Sequence, residues 1–245
     1  MPQPIPVALV TGGARRLGAA IVRRLHASGY AVAVHCRHSA GAAHALAADL
    51  EQARPGSSLV VEADLARFDA LPELVARTVG RFGRLDALVN NAAAFFLTPF
   101  GTVTPDQWDA LLAANLRAPF FLSQAAAPHL RAARGAILNI SDVYARQPRA
   151  DLAAYATSKG ALEAMTRALA VALAPEVRVN ALAPGAILWP EDAPDPALQA
   201  RILARTALGR TGTVEEIADT ALWLLRDAGY TTGTVVAVDG GREPV

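Results

Sequence analysis

Short apolar runs alternate with segments of helical spacing along the whole chain. Ile5 to Val10 is an apolar run bounded by Pro and Gly, which predicts a buried strand. Leu17 to Ala27 repeats its apolar residues with helical period and stops at Gly29. The pattern continues with a strand at Ala31 to Cys36, a helix at Ala40 to Ala53 and a strand at Leu59 to Glu62. A helix at Leu71 to Phe82 closes at Gly83, and a strand follows at Ala87 to Asn90. Pro105 to Leu116 reads as helix, with Thr104 as N-cap and Pro105 at the first helical position. Ala136 to Ile140 is a fifth strand, Leu152 to Ala174 a long Ala-rich helix, and Val177 to Leu182 a sixth strand. Val214 to Leu225 is helical and Thr234 to Val238 is the last strand.

This alternation predicts an α/β fold: one Rossmann-type, doubly wound parallel sheet of about seven strands with helices on both faces. The strands are apolar throughout rather than alternating, as expected when both sheet faces are covered. No repeat and no linker divides the chain, so residues 1–245 are read as a single domain. Pro184 to Pro196 breaks the rhythm. It is rich in Pro and acidic residues, contains Trp189, and predicts either a surface connection or a substrate loop covering about 184–210.

Composition narrows the function classes. The 245 residues carry 23 Lys and Arg against 22 Asp and Glu, and 53% are hydrophobic. That excludes a mainly disordered chain and offers no strong positive field for nucleic acid. Cys36 is the only cysteine, so no intrachain disulfide and no Cys cluster for zinc is expected. A reducing, cytoplasmic compartment fits, and no signal peptide or membrane span is expected. Lys159 is the only lysine; every other permanently basic side chain is Arg. A compact ammonium with a tunable pKa can do what Arg cannot.

The first strand runs into Thr11-Gly12-Gly13-Ala14-Arg15-Arg16-Leu17-Gly18 and then a helix. Glycines in that context allow backbone to approach a pyrophosphate, and the helix N-terminus supplies N–H groups for it. An NAD site would place a carboxylate at the end of the second strand. His35-Cys36-Arg37-His38-Ser39 has none, whereas Arg37, His38 and Ser39 can hold a 2′-phosphate. Arg16 adds a cation beside the phosphates, so NADPH is the expected cofactor. Tyr155 and Lys159 stand four apart on one face of the long helix. A neighbouring ammonium is expected to lower a phenol pKa and fit the Tyr for proton exchange.

Together with Asp64-Leu65, Asn90-Asn91-Ala92, Asn115, Pro184-Gly185 and Asp239-Gly240-Gly241, these motifs resemble the short-chain dehydrogenase/reductase family over nearly the whole chain. The resemblance implies hydride transfer from a nicotinamide, with Tyr155 as proton donor and Lys159 on the nicotinamide ribose. It implies that Asn115 holds a water of the proton relay. Asp64 and Leu65 would contact adenine, Asn91 and Ala92 the ribose side, and Arg16, Leu17, Ser141, Pro184 and Gly185 would complete the cofactor site.

Two departures from the common pattern resemble the pteridine reductase branch. Arg16 replaces the middle glycine of the turn, and Asp142 falls where the catalytic serine, thirteen residues before the Tyr, is usual. Phe95 corresponds to a residue that stacks on the pterin in that branch, although Phe96 and Phe100 nearby leave core packing as its other reading. Ala93 and Ala94 stand where that branch often has serine. The expectation is an NADPH-dependent reductase of a pterin or dihydropterin. Arg16, Phe95, Asp142, Tyr155 and Trp189 would line its substrate pocket, in a homotetramer packed through the long helices. A general carbonyl reductase such as a 3-oxoacyl-carrier-protein reductase, and a non-catalytic NADP-binding regulator, are the alternatives.

Overall fold

The structure, a computed structural model, describes residues 4–189 and 195–242. Seven strands form a single parallel sheet: β1 (Val7–Val10), β2 (Ala31–Cys36), β3 (Ser58–Glu62), β4 (Ala87–Asn90), β5 (Ala136–Ile140), β6 (Arg178–Pro184) and β7 (Val235–Val238). Their order is β3-β2-β1-β4-β5-β6-β7. Residues along β1 alternate between two cores. Val7 and Leu9 pack with Leu74, Leu88 and Leu122, while Ala8 and Val10 pack with Ile21, Val22 and Leu25. Every apolar position of the strand is therefore used, which explains its unbroken apolar reading.

Helices α1 (Arg16–Ala27), α2 (Ala40–Ala53) and α8 (Val214–Leu222) cover one face. Helices α3 (Ala70–Phe82), α5 (Ala118–Ala133) and α6 (Ala153–Ala172) cover the other. The sheet order reverses between β1 and β4, so a crevice opens beyond the carboxyl ends of those strands.

Two elements differ from expectation. The helix expected to end at Leu116 continues. Helix α4 (Pro105–Leu112) opens with a capping box between Thr104 and Gln107, then passes through a π-helical turn, Ala113–Arg117, into α5. Pro119 reads as a stop because it has no N–H for the helical ladder, but the wide turn just before it absorbs that loss. The segment 184–210 is not irregular throughout. It contains α7 (Pro196–Ala204), opened by Asp195, whose carboxylate accepts the Leu198 N–H at 2.9 Å. No helix among the described residues is long and apolar enough to cross a membrane.

Candidate active site

The crevice brings four segments together: the glycine turn after β1, the Asn91–Phe95 segment after β4, Ser141–Asp142 after β5 and the chain after β6. Thr11 joins the first two. Its hydroxyl accepts the N–H of Asn91 at 2.9 Å and of Ala92 at 3.0 Å. The Asn91 amide then donates to the carbonyls of Thr11 and Gly12 at 2.9 and 3.1 Å. A Cβ on Gly18 would lie 2.2 Å from the Gly12 carbonyl oxygen, so only glycine permits this approach of helix to turn. Arg16 keeps the left-handed backbone of the glycine it replaces, with φ at +49°. Its guanidinium donates to the Trp189 carbonyl at 3.3 Å, which ties the half-buried Trp189 and its segment to the turn.

A nicotinamide dinucleotide fits this cradle. Helix α1 starts at Arg16, its N-cap Arg15 makes no side-chain cap, and its first turn holds no acidic residue. The N–H groups of that turn therefore face the crevice ready for an anion. Leu17 packs on one core and Leu65 on the other. Arg37 and Asp64 meet in an ion pair at 3.0 Å at the end of β2. His38 is exposed beside them, and Ser39, half-buried, opens α2 with no hydrogen bond from its hydroxyl into the helix. Pro184 ends β6, and a Cβ on Gly185 would come within 2.6 Å of the Asp239 Cα.

Beyond the cradle, β5 and α6 assemble the reactive groups. The Tyr155 hydroxyl donates to Asp142 Oδ2 at 2.8 Å, and the Tyr144 N–H reaches the other carboxylate oxygen at 2.9 Å. Lys159 is buried, donates to the Ile140 carbonyl at 2.8 Å, and stands 6.0 Å from the Tyr155 ring centre. Phe95 meets Tyr155 edge-to-face with ring centres 4.8 Å apart, yet remains half exposed at 53%. It is therefore not a core residue.

Burial dominates the electrostatics. It pushes the Asp142 carboxyl up, against the Tyr144 N–H, the Tyr155 hydroxyl and the charges of Lys159 and Arg242. It pulls Lys159 down to about 8, against the attraction of Asp142. Tyr155 moves up, through burial first and Asp142 second. This reverses the expected lowering of the Tyr155 pKa. The ammonium donates to the Ile140 carbonyl, and the phenol's hydrogen-bond partner is the carboxyl instead.

The side chains of two other expected residues are bonded within the protein. The Asn115 side chain lies in the π-helical turn, donates to the Ala94 carbonyl and Ser158 hydroxyl at 3.0 Å each, and accepts the Ala94 N–H at 2.8 Å. Both its amide hydrogens are used, so the side chain clamps the Phe95 segment to α6. The Ser141 hydroxyl turns inward to the buried carboxylate of Glu163 at 3.1 Å. Glu163 also pairs with Arg146 at 3.1 Å.

The sequence pattern did not single out Ser158, Glu163 or Arg242, and it named Thr11 and His35 only within longer motifs, with no role of their own. Only His35 carried a signal, as a polar residue within an apolar strand.

The family model described as enoyl-(acyl carrier protein) reductase matches residues 12–243. The chain belongs to the short-chain dehydrogenase/reductase family. It is an oxidoreductase with a nicotinamide cofactor site. A ketoacyl reductase of granaticin polyketide synthesis from Streptomyces violaceoruber is 38% identical, covering 96% of this chain and 95% of that one. Pteridine reductase 1 of Leishmania tarentolae is 35% identical, with 96% of each chain covered. A blue fluorescent protein from a metagenomic library, solved with NADPH, is 36% identical with a TM-score of 0.91, covering 97% of this chain and 98% of that one.

Proposed function

We propose that this reductase uses NADPH to reduce a pterin or dihydropterin at a ring C=N bond. The hydrogen bond between Tyr155 and Asp142 carries this reading. A ketone needs a neutral donor to its carbonyl, which serine provides. A ring imine needs a proton on nitrogen, which the phenol can give while a buried carboxyl of raised pKa, in hydrogen-bond contact, relays the next.

When bound, NADPH supplies the hydride to the imine carbon. Tyr155 gives its proton to the adjoining nitrogen while Asp142 replaces it. The negative charge then rests on the Asp142 carboxylate, which faces Lys159 and Arg242, and not on a buried phenolate. Phe95 offers its ring to a flat heterocycle, and Asn115 sets its distance from Tyr155. Arg16 and the Trp189 segment close the side of the pocket.

Arg37, His38 and Ser39, with no carboxylate at the end of β2, support NADPH over NADH, as does the likeness to a protein solved with NADPH. The half-exposed Phe120 on α5 and the exposed Val171 on α6 suit assembly as a homotetramer through those helices. The single, buried Cys36 suits a reducing cytoplasm.

Asp142→Ser separates this reading from carbonyl reduction, the activity named in the granaticin relative. The substitution is expected to abolish pterin turnover while leaving NADPH binding intact. Unchanged pterin kinetics would show that Asp142 is incidental to the reaction.

A further inference from the structure

We propose that His35 is a positioning residue for the cofactor, holding the phosphate turn after β1 at a fixed spacing from the adenosine-side segment after β3. The inference rests on the nicotinamide dinucleotide site and not on the pterin.

Strand β2 is otherwise apolar, and the His35 side chain is 2% exposed. Its Nδ1 accepts the Gly12 N–H at 3.1 Å, and its Nε2 lies 3.0 Å from the Ala63 carbonyl. A proton on Nδ1 would oppose the Gly12 N–H, so the ring is neutral, with Nε2 donating to Ala63. Burial lowers the His35 pKa, against the Ala63 carbonyl and the charge of Asp64, in agreement with a neutral ring. The His35 carbonyl also accepts the Gly13 N–H at 2.9 Å.

Both glycine N–H groups of the turn are thus directed inward onto one residue. The Gly12 carbonyl is held from the opposite side by the Asn91 amide. With Gly12 held at both its N–H and its carbonyl, the first turn of α1 keeps its N–H groups for the phosphates. Through Ala63 the same imidazole fixes the chain one residue before Asp64, the partner of Arg37. Without it, the Gly12 N–H loses its acceptor at a glycine with φ +60°, and the turn keeps the Asn91 amide and the His35 carbonyl as anchors.

Three substitutions divide the two bonds. His35→Leu removes both. His35→Asn places an amide oxygen near the Nδ1 position and keeps the acceptor for Gly12. His35→Gln reaches toward the Nε2 position and keeps the donor to Ala63. NADPH affinity is measured by fluorescence titration on each protein, with steady-state kinetics alongside.

His35→Leu is expected to weaken NADPH binding about tenfold and raise its KM, with kcat at saturating cofactor preserved. His35→Asn recovers most of the affinity. If His35→Leu does not fold, His35→Gln takes its place and binds more weakly than His35→Asn. Wild-type affinity in the Leu or Gln variant, or an Asn variant as weak as it, overturns the proposal. A wild-type protein that binds no NADPH overturns the cofactor reading itself, and the proposal with it.

Discussion

The Tyr155 hydroxyl lies 2.8 Å from Asp142 Oδ2, so the phenol and the carboxyl share one proton path within the cleft. Tyr155 is 4% exposed and Lys159 3% exposed, which leaves water little part in that path. The pair differs from a phenol tuned by an ammonium alone. Burial raises the pKa of both oxygen acids.

Tyr155→Phe removes the hydroxyl and keeps the ring contact with Phe95. Its kcat is expected to fall by about 10²- to 10⁴-fold, the usual contribution of a positioned acid. NADPH binding, followed by fluorescence titration, stays unchanged. Near wild-type turnover in this variant would remove Tyr155 from the proton path.

Lys159 titrates at about 8, so its ammonium is present below that pH and lost above it. Turnover at saturating substrate is expected to fall as pH passes upward through about 8, because the Asp142 carboxylate formed in the reaction loses its facing cation. Stability moves the other way. Between about 8 and the unfolded lysine value of about 10.4, the unfolded chain holds a proton that the folded chain has released. Lys159 therefore contributes a rise in unfolding free energy with pH across that window, readable by denaturant titration of wild type against Lys159→Met.

Phe95→Ala removes the aromatic ring and its edge contact with Tyr155 but leaves the hydrogen bond between Tyr155 and Asp142 in place. Stacking of a heterocycle on an aromatic ring contributes about 1–3 kcal/mol. KM for a dihydropterin should rise roughly ten- to hundredfold, with a smaller change in kcat. An unaltered KM would show that Phe95 does not meet the substrate.

Behind the site, the Asn90 amide donates to Asn139 Oδ1 at 2.8 Å and the Asn139 amide donates to the Thr166 hydroxyl at 2.9 Å. These buried side chains tie β4 and β5 to α6. Thr166→Val leaves the Asn139 amide without that acceptor and should cost about 1–3 kcal/mol of stability in urea unfolding. The kinetic constants should change little, because no reactive group is moved.

The strand and helix alternation was legible because the sheet is covered on both faces, and a strand buried on both sides is written as a short unbroken apolar run between turn residues. Continuous α4–α5 was not legible. Pro119 signals a stop, and a π-helical turn leaves no mark in hydrophobic spacing. Helix α7 was hidden by the Pro- and Asp-rich sequence before it, although Asp195 caps its start. Tyr155 and Asp142 were legible as a pair through the family pattern. The direction of the Tyr155 shift was not, because it depends on how deeply the hydroxyl is buried and on the Lys159 ammonium turning to Ile140. Ser141 and Asp142 are neighbours in sequence, but strand geometry sends one to Glu163 and the other to Tyr155.

The substrate assignment is tested most directly by NADPH oxidation with 7,8-dihydrobiopterin and an acetoacetyl thioester assayed side by side on the pure protein. Fast turnover of the pterin, with little or none of the thioester, is the result expected from Arg16, Phe95 and Asp142. Fast turnover of the thioester alone would contradict it, leaving the fold and the cofactor site standing and the pterin reading overturned.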